Sequence, residues 1–85
     1  MILRITEAEV AGPYILRLAF NDGSRKTVDV FPLLDGPVIE PLKDPEFFAR
    51  AAWDPVSGTV FWPNDADFAP EALHALSAVE ETSVA

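Results

Sequence analysis

Residues 28–42 read Val-Asp-Val-Phe-Pro-Leu-Leu-Asp-Gly-Pro-Val-Ile-Glu-Pro-Leu, and a strand-like run ends within this stretch. Pro32 ends the strand because proline has no amide hydrogen to donate to a β-ladder. Residues 31–34 are predicted to form a short 3₁₀ turn, and residues 35–37 a second turn. Residues 38–42 are too short and too rich in proline for a central strand, so we expect an ordered loop whose apolar side chains, Val38 among them, pack on the core.

The segment before this stretch predicts a three-stranded antiparallel meander. The predicted strands cover residues 2–10, 14–20 and 25 to 30 or 31. In the second, alternation places Tyr14, Leu16, Leu18 and Phe20 on one face, which is typical of a half-buried strand. Residues 11–13 indicate a turn, and Asn21-Asp22-Gly23-Ser24 is a strong hairpin signal.

The segment after it predicts a helix, a second hairpin and a last helix. Asp44 before Pro45 is typical of a helix N-cap, so a short helix is expected at residues 45–50. Strands are predicted at 51–54 and 59–63, followed by a helix at 70–79 and a frayed tail at 80–85. The sequence therefore predicts one α+β domain over residues 1–85, in the order β-β-β-α-β-β-α.

The composition limits the possible classes of protein. Eighty-five residues suffice for one thin core, and with 49% hydrophobic residues the chain has enough apolar surface to fold. It contains no cysteine, which excludes disulfides and thiol chemistry. Neither a signal peptide nor a membrane span is recognisable, so a soluble cytoplasmic protein is expected, and the small core favours a homodimer.

The charge narrows the choice of partner. Fourteen acidic residues against six basic ones leave a formal net charge of −8. Such a surface repels the phosphate backbone of nucleic acids and attracts a basic protein. Solubility alone is the simpler interpretation of the same acidity.

At this point the order of several short motifs resembles that of a bacterial family, the domain of unknown function 2442. The motifs are Asn21-Asp22-Gly23, Val28-Asp29-Val30, Pro32-Leu33-Leu34-Asp35-Gly36-Pro37-Val38, Pro41-Leu42, Asp44-Pro45, Phe47-Phe48, Gly58-Thr59-Val60, Trp62-Pro63-Asn64, Asp67 and Pro70-Glu71. The resemblance covers residues 10–76 and implies the same β-β-β-α-β-β-α order. It implies no activity, because the family has none established. Members are often encoded beside a small protein of another uncharacterised family, and the resemblance then implies an antitoxin in a toxin–antitoxin pair. Some longer members carry a C-terminal helix-turn-helix domain, for which this chain is expected to be too short.

Candidate catalytic and metal-binding residues all have a structural interpretation. His74, the single histidine, has no nucleophile at a recognisable spacing and is expected at a surface or interface. The carboxylates of Asp54, Asp65, Asp67 and Glu71 lack the remaining pattern of a calcium loop, so capping of the last helix is the preferred explanation. We therefore predict no catalytic residue, no cofactor and no metal.

The second hairpin offers the best candidate for a partner-binding surface. Trp53 lies on one arm and Phe61 and Trp62 on the other, so that alternation leaves Phe61 or Trp62 exposed. With Asp65 and Asp67 they form the predicted partner-binding set. Burial by the last helix or by a dimer partner is the alternative.

The resulting hypothesis is a non-enzymatic interaction module that resembles an antitoxin and binds a small basic protein encoded by the adjacent gene. A small-ligand-binding or enzymatic domain that uses Asp29, Asp35 and His74 around the central loop is the first alternative. A structural homodimeric subunit is the second.

Overall fold

The computed structural model describes residues 2–79, and the predicted frayed tail lies outside them. Its elements follow the predicted α+β order, with two 3₁₀ segments in the central stretch. They are β1 (Ile5–Gly12), β2 (Ile15–Phe20), β3 (Arg25–Asp29), 3₁₀ segments at Phe31–Leu33 and Glu40–Lys43, α1 (Pro45–Phe48), β4 (Ala52–Asp54), β5 (Thr59–Phe61) and α2 (Pro70–His74). No helix in the described part of the chain is long and apolar enough to cross a membrane.

The meander is an antiparallel sheet in the order β1-β2-β3. Leu16, Leu18 and Phe20 alternate along β2 and are all buried, which confirms the predicted inner face. Leu16 lies opposite Val10 on one side and Val28 on the other, so the core is centred under β2. Arg17 and Ala19, which alternate with these residues along β2, point to the outer face of the sheet.

The turn between β1 and β2 differs from the prediction. The sequence pattern places Tyr14 in the second strand, but in the structure it lies in the turn with a φ of 65°. Its ring packs against Phe31 and Phe48, with centroids 4.9 and 5.7 Å away, and its hydroxyl donates to the backbone carbonyl of Lys43. These contacts connect the turn to the central stretch and α1, so tertiary packing overrides the local strand pattern.

The central stretch folds largely as predicted up to residue 37. The 3₁₀ segment forms at Phe31–Leu33, and the carboxylate of Asp29 accepts a 2.9 Å hydrogen bond from the backbone amide of Phe31. Leu42 is buried, but Val38, predicted to pack on the core, is 56% exposed. The backbone of Val38 is held instead, because Asn64 Nδ2 donates to its carbonyl oxygen at 2.9 Å.

The first helix confirms its predicted cap. The side chain of Asp44 accepts a 3.0 Å hydrogen bond from the backbone amide of Glu46, and Pro45 occupies the first turn. The helix ends at Phe48, two residues before its predicted end, and Phe48 is buried.

The last helix is shorter than predicted and has no side-chain cap. Its N-cap is Ala69, so the capping role expected for Asp67 is wrong. It ends at His74, and Lys26 Nζ donates to the carbonyl oxygens of His74 and Leu76, the latter at 2.6 Å, which satisfies carbonyls left without a helical partner. The chain then turns back along β3, where Ala78 forms a bridge with Val28 and the amide of Val79 donates to Thr27 at 2.8 Å. Residues 78 and 79, predicted as helix, thus pair with β3.

The two sheets meet at one backbone contact. The amide of Ile5, at the start of β1, donates to the carbonyl of Gly58 in the β4–β5 turn at 2.8 Å. The guanidinium of Arg4 lies beside Gly58 and donates to the carbonyls of Pro55 and Val56 at 3.0 and 2.8 Å. The second hairpin is therefore fixed to the first strand of the meander.

Candidate partner-binding surface

Trp62 lies in the core and not on the predicted partner-binding surface. It is 0% exposed, its indole Nε1 donates to the backbone carbonyl of Phe48 at 2.9 Å, and its ring packs against Phe48 and Phe68 at 5.5 and 5.7 Å. A fully buried side chain cannot contact a partner on the folded protein. The partner-binding set is corrected accordingly, and Trp62 is assigned to the core.

Trp53 and Phe61 lie on opposite faces of the second hairpin. Trp53 is opposite Val60 and Ala52 is opposite Phe61, and residues directly opposite in an antiparallel pair point to the same face. Because Val60 is buried, Trp53 is on the inner face, where its Nε1 donates to the carbonyl of Ile5 at 2.8 Å. Its ring remains 40% exposed at the rim, whereas Phe61 is 37% exposed on the outer face. The two aromatics cannot form one patch.

Phe61 instead forms a surface with the two predicted aspartates. An isolated β-bridge places Asp67 directly beside Phe61, and Asp65, with a φ of 68°, lies in the intervening turn. Both aspartates are exposed. The turn is ordered by Asn64, whose Oδ1 accepts from the amide of Ala66 at 3.2 Å. We call Phe61, Asp65 and Asp67 the Phe61 surface.

Trp53 borders a second site, which the sequence did not predict. It is a cavity of about 380 Å³ on the outer face of the meander. Charged side chains from all three strands line it, with a small floor residue and one indole. We call it the Trp53 cavity and define it by Trp53, Glu7, Glu9, Arg17, Ala19 and Arg25.

The charges in the Trp53 cavity are paired across strands. Arg17 lies opposite Glu9 and contacts it, and Arg25 Nη2 is 3.3 Å from Glu7 Oε2 across the width of β2. All four side chains are more than 45% exposed, so each pair contributes little to stability. The period-two spacing of Glu7 and Glu9 was the sequence signal for this face. Without the register of the meander it could not be assigned to a site.

Of the four remaining basic side chains, Arg50 is exposed, and the other three are engaged by the protein's own oxygen atoms. Arg4 binds turn carbonyls, Lys26 binds the carbonyls at the end of α2, and Lys43 Nζ is 3.4 Å from Glu40 Oε1. In contrast, several exposed carboxylates form no ion pair with any residue between 2 and 79. These are Asp35, Asp44, Glu46, Asp65, Asp67 and Glu71. The accessible charge of the described surface is consequently negative.

His74 lies near the hairpin turn of β2 and β3. Its Nε2 is 3.1 Å from Asp22 Oδ2 and 3.4 Å from Ser24 Oγ, and its ring meets Phe20 edge-to-face at 4.8 Å. The pKa of Asp22 is lowered, first by hydrogen bonds from the Ser24 side chain and backbone and then by His74. One nitrogen faces both the carboxylate and the hydroxyl, so the three groups do not form a relay from nucleophile to base to orienting acid. Their contacts connect α2 to the turn.

The groups of the enzymatic alternative do not converge. Asp29 ends β3 opposite Ile15, whereas His74 contacts the turn at the other end of the β2–β3 hairpin. Asp35 is exposed in the central stretch. Within residues 2–79 no three His, Cys, Asp or Glu side chains are grouped so that they could hold a metal ion. Asp54, one of the carboxylates considered for a metal, accepts a 2.9 Å hydrogen bond from the amide of Val56.

Comparison with known proteins gives two matches. The model of a family described as "Protein of unknown function (DUF2442)" matches residues 5–78. The crystal structure of a "Putative DNA Binding Protein" from Nitrosomonas europaea superposes with a TM-score of 0.74 at 31% identity, over 89% of this chain. The chain spans about half of that protein, 49% of its length. No curated protein matches the sequence.

Proposed function

Since this chain belongs to the DUF2442 family of proteins of unknown function, we propose its function from its own surfaces: it is a non-enzymatic interaction module for a small basic protein. One observation carries the proposal. Arg4, Lys26 and Lys43 are engaged by the protein's own oxygen atoms, while the six exposed carboxylates named above form no ion pair within residues 2–79. Such a surface attracts a cationic partner and accelerates encounter.

The antitoxin-like role is the finer part of the proposal. It is supported by the family resemblance, in which members are encoded beside a second small protein. Neutralisation requires only that this chain cover a functional surface of its partner, so it needs no catalytic group here. We propose the cytoplasm as the place of encounter.

Direct binding to nucleic acid is the competing function. The Nitrosomonas europaea protein is described as DNA-binding, but the chain matches only about half of it. DNA binding depends on lysine and arginine side chains that neutralise phosphates. With a net charge of −8 and Arg4, Lys26 and Lys43 already bound to protein oxygens, this chain is better suited to a basic protein.

Co-expression with the product of the adjacent gene tests the proposal. We expect the two proteins to co-purify and this chain to relieve any growth defect that its neighbour causes. Raising the salt concentration should slow association, because the attraction is between exposed charges. The control for the competing function is to mix the purified chain with a labelled DNA duplex and to measure binding. Absence of co-purification together with absence of growth relief would refute the protein-binding function, and tight DNA binding would replace it.

We also propose that the chain forms a homodimer, with exposed apolar side chains at the contact. Ile2, Val38 and Val56 are all more than half exposed, which is unusual for large aliphatic residues of a small domain. Light scattering during size-exclusion chromatography measures the mass. A monomer at micromolar concentration would exclude the dimer, and a stable dimer that binds no basic protein would favour a purely structural subunit.

A further inference from the structure

The outer edge of β1 has no strand paired with it. In the order β1-β2-β3, both β1 and β3 are edges, and residues 78–79 pair with part of β3. On β1, the amide of Ile5 binds Gly58 and its carbonyl accepts from the indole of Trp53. Beyond Ile5, no described residue outside β2 forms a backbone hydrogen bond with residues 6–12. On the side away from β2, the alternate amide and carbonyl groups of residues 6–12 therefore have no backbone partner among the described residues.

Acidic side chains line this edge on the outer face. Glu7 and Glu9 are two residues apart, exposed, and lie opposite Ala19 and Arg17 of β2. The ion-pair partners Arg17 and Arg25 lie on β2 and β3, further from the β1 edge, so the glutamates are the charged row nearest to that edge. The exposed ring of Trp53 lies at the start of the edge and borders the same cavity.

We propose that the free edge of β1 is the docking site for an extended segment of the basic partner. The segment adds a strand beside β1, and its lysine or arginine side chains, at alternate positions, share Glu7 and Glu9 with Arg25 and Arg17, whose exposed ion pairs contribute little to stability. One further cation is placed over Trp53, in the cavity that this indole shares with Glu7. Backbone hydrogen bonds supply affinity and the alternating charges supply selectivity. This inference rests on the proposed function and specifies how the partner is held.

The charge pattern favours a basic segment over a second copy of this chain. A copy related by a two-fold axis perpendicular to the sheet pairs residues of the same face. When that axis lies between residues 7 and 9, a glutamate of one copy lies directly opposite a glutamate of the other, which is destabilising. The same two carboxylates that oppose self-association select a strand with cationic side chains at matching spacing.

A fluorescent peptide of about the length of β1, which has eight residues, tests the inference. In the probe, lysine alternates with threonine, and binding is followed by fluorescence anisotropy. Two control peptides replace lysine with glutamate, or carry N-methyl groups at alternate residues to remove backbone donors. We expect the glutamate peptide not to bind. N-methylation should weaken binding at least about tenfold, because it removes ladder hydrogen bonds without changing charge.

Matched protein variants locate the site. E7Q/E9Q and D65N/D67N each remove two negative charges, one pair from the β1 edge and one from the Phe61 surface. We expect E7Q/E9Q and Trp53→Ala to weaken peptide binding at least about tenfold, and D65N/D67N less than about threefold. Circular dichroism melts check that each variant is folded. Equal losses in both double variants, or no effect of N-methylation, would overturn the edge-docking proposal.

Co-purification with the full partner separates this proposal from the proposed function. If E7Q/E9Q still captures the partner and D65N/D67N does not, docking at β1 is wrong while the protein-binding function stands. If neither the peptide nor the partner binds wild-type protein, both the edge-docking proposal and the protein-binding function are wrong.

Discussion

Replacing Trp62 with phenylalanine should destabilise the fold far more than the same change at Trp53. At Trp62 the indole hydrogen bond to Phe48 is lost, which costs about 1 kcal/mol since the amide of Ala51 still donates to the same carbonyl at 3.2 Å. The smaller ring also leaves a cavity among buried aromatics, worth about 1–2 kcal/mol. The sum, about 2–3 kcal/mol, corresponds to a fall in Tm of about 8–24 °C for a domain of this size. At Trp53 the lost hydrogen bond alone gives about 1 kcal/mol, because the exposed ring leaves no sealed cavity.

Urea titration followed by tryptophan fluorescence measures both variants, since each leaves one indole as the reporter. In W53F the remaining Trp62 should emit at short wavelength and resist quenching by acrylamide. In W62F the remaining Trp53 should emit at longer wavelength and be quenched readily. Equal free energies of unfolding for the two variants, or a quenchable Trp62, would refute the assignment of Trp62 to the core.

Three further substitutions test contacts that hold the ends of the elements together. Lys26→Met removes the donor to both carbonyls at the end of α2, and we expect a loss of about 1–3 kcal/mol in urea titrations together with faster amide exchange at residue 79; unchanged exchange would contradict the anchoring role. In Gly58→Ala, where φ is 70°, the new Cβ would lie 2.8 Å from the Arg4 guanidinium, which must shift and weaken its hydrogen bonds to the carbonyls of Pro55 and Val56. It should therefore lower Tm more than Gly23→Ala, where φ is 90° and nothing lies within 4 Å of the new Cβ; the reverse order would show that those hydrogen bonds do not hold the β4–β5 turn. Ser24→Ala removes the largest cause of the lowered pKa of Asp22, whose ordinary value is 3.8. Because the pKa of Asp22 is lower in the folded protein, its stabilising contribution is present above that ordinary value and is lost as pH falls through the folded pKa. In urea titrations, the free energy of unfolding of the wild type should therefore exceed that of the variant at about pH 6 and equal it at about pH 2.

Sequence patterns predicted the elements that depend on local chemistry. The alternation of β2, the Asp-Gly hairpin, the proline that ends the third strand and the Asp44 cap each depend on residues within a few positions of one another. They all form as expected. The family signature is composed largely of such residues, which explains why it could be recognised without the structure.

The predictions from sequence were wrong where the local structure is determined by residues far away along the chain. The carbonyls at the end of α2 are bound by Lys26, which lies about fifty positions earlier, and Tyr14 packs against α1 and the central stretch. The predicted partner-binding set was wrong at Trp62 for the same reason. Alternation indicated that the aromatics of the second hairpin point to different sides, but which side faces the core was set by the backbone contact between Ile5 and Gly58. Together with the Trp53 indole bond to Ile5, that contact places Trp53 at the same cavity as Glu7.

The pairing of residues 78–79 with β3 also sets an order for biosynthesis. β3 is complete by residue 29, yet the partner for its outer edge is made about fifty residues later, so the nascent chain exposes that edge through most of its synthesis. An open edge on a folding intermediate is a template for association with neighbouring chains. A chain truncated after residue 76 keeps this edge open permanently. We expect it to scatter light during refolding at concentrations where the full chain remains clear, and equal clarity would show that the late pairing does not protect the nascent protein.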